Sequence, residues 1–259
     1  MSTPKQASAP GPMDRRLPMQ MRRQPNETTC GPSCLHAIYR YYGEDISLER
    51  VISEVRSLKA GGTLEVFLGC HALRMGYSAC IYTYNLTAFD PTWFGPAAPD
   101  IRERLKAQLK VKADPKLHTA TKGYLEFLDL GGEIRFQDLT TSLIRKYLNR
   151  SEPVLAGLSA TYLYQSAREL GTDGKWDDVQ GESAGHFVVL CGYNREERTV
   201  LVADPLVPNP VSESHIYSVN IDRVLCSILL GVLTYDASLL LIKPSKRSGG
   251  TASVYPSNR

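Results

Sequence analysis

Gln24 and Cys30 stand six residues apart in the segment Gln24-Pro-Asn-Glu-Thr-Thr-Cys30-Gly-Pro-Ser-Cys34, immediately ahead of an apolar run. A cysteine acts as a nucleophile through its thiolate, and the unpaired N–H groups and macrodipole at a helix start stabilise that negative charge. Leu35, Ala37, Ile38, Tyr41 and Tyr42 follow with mixed helical spacing, and Gly31-Pro32 suits a helix start, where proline forfeits no hydrogen bond. The segment therefore predicts a helix at Cys30 and a thiol shifted from the usual value of about 8.5 toward neutrality. The Gln24 amide, upstream, is a candidate donor to the oxyanion that develops on an attacked carbonyl.

A cysteine nucleophile needs a base, and the base needs a partner that fixes its tautomer. Of the five histidines, His186 opens the apolar run HFVVLCGY after Ser183-Ala184-Gly185, and Asp204 ends the next run, TVLVA. A hairpin turning near Arg195-Glu196 brings the strand end carrying Asp204 beside the strand start carrying His186, where a carboxylate can accept from the second imidazole nitrogen. Taken singly, a histidine at a strand start is commonly a satisfied edge residue, and an aspartate before proline a turn former. Cys34, four residues after Cys30, reads as core. With His36 and His71 it lacks the short ligand spacing of a zinc site, so no metal or cofactor is implied. His71 reads as a satisfied buried residue, His118 and His215 as solvated, and Asp177-Asp178 as part of a polar loop. Tyr162, Tyr164 and Trp176 are candidate pocket liners in the loop before His186.

Gln24, Cys30-Gly31-Pro32, Gly185-His186-Phe-Val-Val-Leu and Ala203-Asp204-Pro205 together resemble the C39-like peptidases of the papain-like superfamily, over about residues 20–243. The resemblance implies Cys30 as nucleophile, His186 as base, Asp204 as its orienting residue and Gln24 as an oxyanion donor, completed by the Cys30 backbone N–H. The implied activity is a cysteine peptidase acting on a peptide or amide bond through an acyl-enzyme. An acyltransferase or amide-forming enzyme would use the same residues, and a non-catalytic peptide-binding module would keep only the fold. The transporter-fused members of that family carry membrane spans and an ATPase, which this sequence lacks.

The elements that must hold these residues read as helices first and strands afterwards. Helices are expected over Ser47 to Leu58, Leu64 to Met75, Asp100 to Lys112, Lys122 to Leu130, Gln137 to Asn149 and around Ile221 to Leu229, with residues 113–121 as a polar link. Strands are expected at Tyr77 to Tyr84, Pro153 to Ala160, His186 to Tyr193, Thr199 to Ala203, Ile216 to Val219 and Ser238 to Ile242. This order predicts an α+β, papain-like fold, its N-terminal helices packed on a C-terminal antiparallel sheet. One domain is expected over residues 18–244, with a helical insertion at 89–150, a flexible arm at 1–17 and a flexible tail at 245–259. The formal charge of +3 and the 22% of charged residues leave no nucleic-acid footprint. No apolar run approaches the ~20 residues of a membrane span, and the N-terminus has no signal-peptide core, so a cytoplasmic protein without a membrane partner is expected.

Overall fold

The apolar run after Cys30 becomes a helix enclosed on all sides, buried without interruption from Gly31 to Tyr39, with Pro32 in its first turn. The computed structural model describes residues 13–59, 61–171 and 175–245. In chain order, the first half contains strand β1 (Arg15–Arg16), helices α1 (Cys30–Tyr41), α2 (Leu48–Glu54) and α3 (Glu65–Arg74), and strand β2 (Tyr77–Thr83). Then come α4 (Ile101–Val111), α5 (Pro115–Asp129), β3 (Glu133–Arg135) and α6 (Thr141–Asn149). The second half is β4 (Val154–Ser159), α7 (Ala160–Tyr164), β5 (Glu169–Leu170), β6 (Lys175–Trp176), β7 (Gly185–Asn194), β8 (Thr199–Ala203), β9 (Ile216–Asn220), α8 (Ile221–Leu230) and β10 (Ser238–Pro244).

The main sheet runs β3-β2-β10-β4-β7-β8-β9, with β1 added on β7. Its pairings are antiparallel except β2 with β3. The class is α+β with a mainly antiparallel sheet. Strand β2 falls where a strand was expected, β3 was not among the expected strands, and β10 returns to sit between β2 and β4. Strand β7 is buried from His186 to Asn194, as its continuous apolar run requires. Helix α1 packs on it, burying Cys34, Leu35, Ala37 and Ile38.

Two further expectations are revised. The link at 113–121 is mostly helix: Asp114 caps α5 by accepting from the Lys116 and Leu117 N–H groups, and Pro115 occupies the first turn, where it costs nothing. Leu117, Ala120, Tyr124 and Phe127 then form a buried face against α3. The arm expected through residue 17 also ends earlier. Arg15 and Arg16 pair with Tyr193 and Gly192, Leu17 is buried, and Arg15 Nε donates to Leu148 O. A Cβ at Gly192 would lie 2.5 Å from Arg15 O, so glycine is what admits this extra strand. Residues 1–12 and 246–259, parts of the expected arm and tail, lie outside the described residues. No helix among those described is long and apolar enough to cross a membrane.

Candidate active site

Cys30 is the first residue of α1 and is half-buried. Thr29, the N-cap, makes no side-chain cap: its hydroxyl exchanges hydrogen bonds with the Asn26 backbone instead. Pro32 has no N–H, and Ser33 N donates to Thr29 O at 3.0 Å. The Cys30 and Gly31 N–H groups of the first turn are thus free of a capping side chain, where partial positive charge concentrates.

His186 reaches the same place from the start of β7. The β7–β8 register pairs Val189 with Ala203, so the next residue, Asp204, lies opposite Val188, two positions from His186 and on its face of the sheet. His186 Nε2 and Asp204 Oδ1 are 2.9 Å apart, both side chains being buried. Nδ1 is left for Cys30, which lines the same cavity as His186 and favours the charged form of the ring. Burial opposes charging the imidazole. The Asp204 charge and hydrogen bond, with a smaller contribution from Cys30, outweigh it and hold the His186 pKa well above the ordinary histidine range.

Asp204 is built into its position from every side. Oδ1 also accepts from Leu206 N at 2.9 Å, and Oδ2 accepts from Tyr164 OH at 2.8 Å and Tyr217 OH at 2.6 Å. Burial alone would raise this carboxyl, but the His186 charge and these hydrogen bonds hold it below the usual carboxylate range. His215 fixes the backbone: its carbonyl accepts from Asp204 N at 2.8 Å, and its Nδ1 lies 2.7 Å from Asp204 O. The expectation that His215 is simply solvated is thereby corrected; it is half-buried and bonded. Tyr164 comes from α7, which follows β4 directly and is capped by Ser159. Tyr217 sits on β9 opposite Val202 and so shares the face of Asp204.

Gln24 is 6% exposed, and its backbone N–H donates to Pro205 O at 3.0 Å, tying it to the segment after Asp204. Its Nε2 donates to Asn26 O at 3.0 Å, which uses one of two amide hydrogens and leaves the other available. Gln24, Cys30, Tyr164 and His186 line one cavity of about 310 Å³. A Cβ on Gly185 would overlap the Asp236 carboxylate, so glycine before His186 lets another wall of the cavity close up.

Of the four residues expected from the sequence, Gln24, Cys30 and His186 line one cavity with Tyr164, and Asp204 stands buried behind His186. Tyr162 and Trp176 are exposed and do not line it. Tyr217 was not singled out by any local pattern; its role arises only when β9 pairs with β8. Cys34 is fully buried, donates to Phe187 O at 3.2 Å, and has its pKa pushed well up by burial. His71 bonds Tyr39 and Glu54, and Asp177 accepts from Val179 and Gln180 N–H groups as a turn former.

The family model for the Peptidase_C39 like family matches residues 16–221, and the chain belongs to that family. No curated protein matches the sequence. Among solved structures, a C39-like peptidase from Bacillus anthracis is 14% identical, with 90% of this chain and 100% of that one covered at a TM-score of 0.45. Xylellain, a cysteine protease from Xylella fastidiosa, is 15% identical over 93% of this chain and 92% of its own, with a TM-score of 0.43. The peptidase domain of Streptococcus ComA is 13% identical over 88% and 99%, with a TM-score of 0.42.

Proposed function

We propose that this chain is a cysteine peptidase that cleaves a peptide or amide bond through an acyl-enzyme on Cys30. The observation that carries the reading is the His186–Asp204 pair, buried and hydrogen-bonded, with its imidazole on the cavity that Cys30 lines from the start of α1 and its carboxylate closed off by protein. The raised pKa of His186 favours its imidazolium form, the charge partner that a thiolate nucleophile needs. The thiolate sulfur attacks the substrate carbonyl carbon, and the electron pair moves to oxygen. The Cys30 N–H and the Gln24 amide donate to that oxyanion. Collapse expels the amine, which takes the proton from His186 and leaves a thioester. Water then attacks the thioester while neutral His186 takes its proton, and the free acid departs with the thiolate restored. Asp204 holds the ring and stabilises its charged form throughout.

A peptide library screened by mass spectrometry tests this reading. Cleavage is expected in the native chain, with an acyl or alkyl adduct mapping to Cys30. Cys30→Ala should lower kcat/KM by about 10⁴-fold or more. Cleavage that survives the substitution would overturn the assignment. Added amines separate hydrolysis from acyl transfer, since a peptidase releases the free acid in their presence.

A further inference from the structure

The cavity beside Cys30 carries an uneven charge. Three acidic side chains line it: Glu27 from the loop before α1, Glu169 from β5 and Asp236 from the segment before β10, the last with its pKa pushed up to about 7 mainly by burial. One ammonium, Lys116 of α5, joins them. None of the three acids forms a salt bridge among the described residues. Lys116 stands on the Asp236 side, its Nζ donating to Thr234 O at 3.1 Å and lying 4.7 Å over the Tyr235 ring, and its charge favours the Asp236 carboxylate. His186 is paired with Asp204, and its charge reaches Glu169 and Asp236 more weakly.

Glu27 and Glu169 also feel one another. Burial pushes the half-buried Glu169 carboxyl up, the Glu27 charge pushes it further, and the His186 charge offsets only part of this. Two like charges facing one cleft without a salt-bridge partner raise its free energy, and a bound cation relieves both. Gln24 adds an independent demand of a different kind. With Nε2 committed to Asn26 O, the amide cannot turn round without setting two carbonyls against each other. Its Oε1 is therefore left buried with no donor among the described residues, in a side chain that lines the same cavity. An unpartnered buried acceptor beside uncompensated carboxylates calls for a positively charged group with several N–H donors.

We propose that the cleft selects substrates carrying an ammonium or guanidinium close to the scissile bond, received between Glu27 and Glu169. The word scissile rests on Cys30 as nucleophile; the recognition does not. The test accordingly uses binding in the Cys30→Ala chain, with a fluorescent nonapeptide scanned at each position with Lys, Gln or Glu. Acetylated and free amino termini separate a basic side chain from a terminal amine.

The best Lys peptide should bind about tenfold or more tighter than its Glu counterpart. That gap should narrow between about 50 mM and about 500 mM salt. It should fall to about threefold or less in the Glu27→Gln/Glu169→Gln variant, and stay unchanged in a Glu196→Gln/Glu197→Gln control on the β7–β8 turn. Equal or tighter binding of Glu peptides, a gap that is salt-independent or survives the double substitution, or no binding by any peptide would overturn the proposal. Turnover of the same peptides by the native chain bears on the nucleophile alone, so the two readings fail separately.

Discussion

Four hydrogen bonds converge on the Asp204 carboxylate, and their number governs how strongly it pulls on His186. A carboxylate shared among Leu206 N, Tyr164 and Tyr217 has its charge spread, which moderates its grip on the imidazolium. Removing the Tyr217 hydroxyl concentrates that charge, so His186 should release its proton at higher pH. In Tyr217→Phe the alkaline limb of the kcat/KM profile is expected to move upward, while the optimum falls roughly 3- to 10-fold as the carboxylate is held less firmly. A hydroxyl that serves packing alone would lower activity at every pH and leave the limb in place. At this scale the meeting of Cys30, Gln24 and His186, with Asp204 behind the imidazole, was legible because each sits in a short pattern with a chemical reason. Tyr217 was not, since nothing in its neighbours IYSVN marks it; the bond exists only across two paired strands.

At the scale of elements, polar contacts between helices and sheet set the geometry of the cleft. Cys34 ties α1 to the carbonyl of Phe187, the residue after His186, so the helix carrying the thiol is registered on the strand carrying the imidazole. Glu65 on α3 does the same for α5: it accepts from Tyr124 OH while fully enclosed. Burial raises its pKa to about 7, partly offset by Tyr124, a backbone hydrogen bond and the Lys116 charge. The folded chain then holds a proton that the unfolded chain releases, so stability falls as pH rises from about 4.5 to about 7 and is level above. Glu65→Gln keeps an acceptor for Tyr124 and removes this loss, on the order of 3 kcal/mol at most. Urea unfolding at pH 5 and pH 8 checks it. The native chain should lose more stability across that interval than the variant, which retains the similar contribution of Asp236, also raised to about 7 mainly by burial. Most elements were readable from periodicity, including the apolar run of β7 and the Ser47 cap of α2. The start of α5 was not, because Asp114-Pro115 is both a turn signal and a helix opening, and only the packing of Leu117 and Ala120 decides between them.

At the scale of the molecule, the α+β class followed from the order of helical and strand patterns, but the strand order did not. The insertion of β10 between β2 and β4 joins segments more than eighty residues apart in one direction and more than a hundred and fifty in the other. Hydrophobic alternation says which face of a strand is buried and is silent on its neighbour. The resulting sheet places β7 between β4 and β8, with β1 extending its far end, while β5 and β6 form a separate two-stranded ribbon.

That arrangement divides the cleft by how readily its walls open. The amides of Phe187 to Leu190 lie in the middle of the sheet and should exchange with deuterium only through global unfolding. Glu169 and Leu170 belong to the small ribbon, whose described residues are exposed or half-buried, and should exchange through local opening far faster. Hydrogen exchange followed by mass spectrometry measures both in one experiment, and equal protection of the two segments would contradict it. The consequence is a division of labour in time: the side proposed to receive the substrate can breathe on its own clock while His186 stays where the sheet holds it.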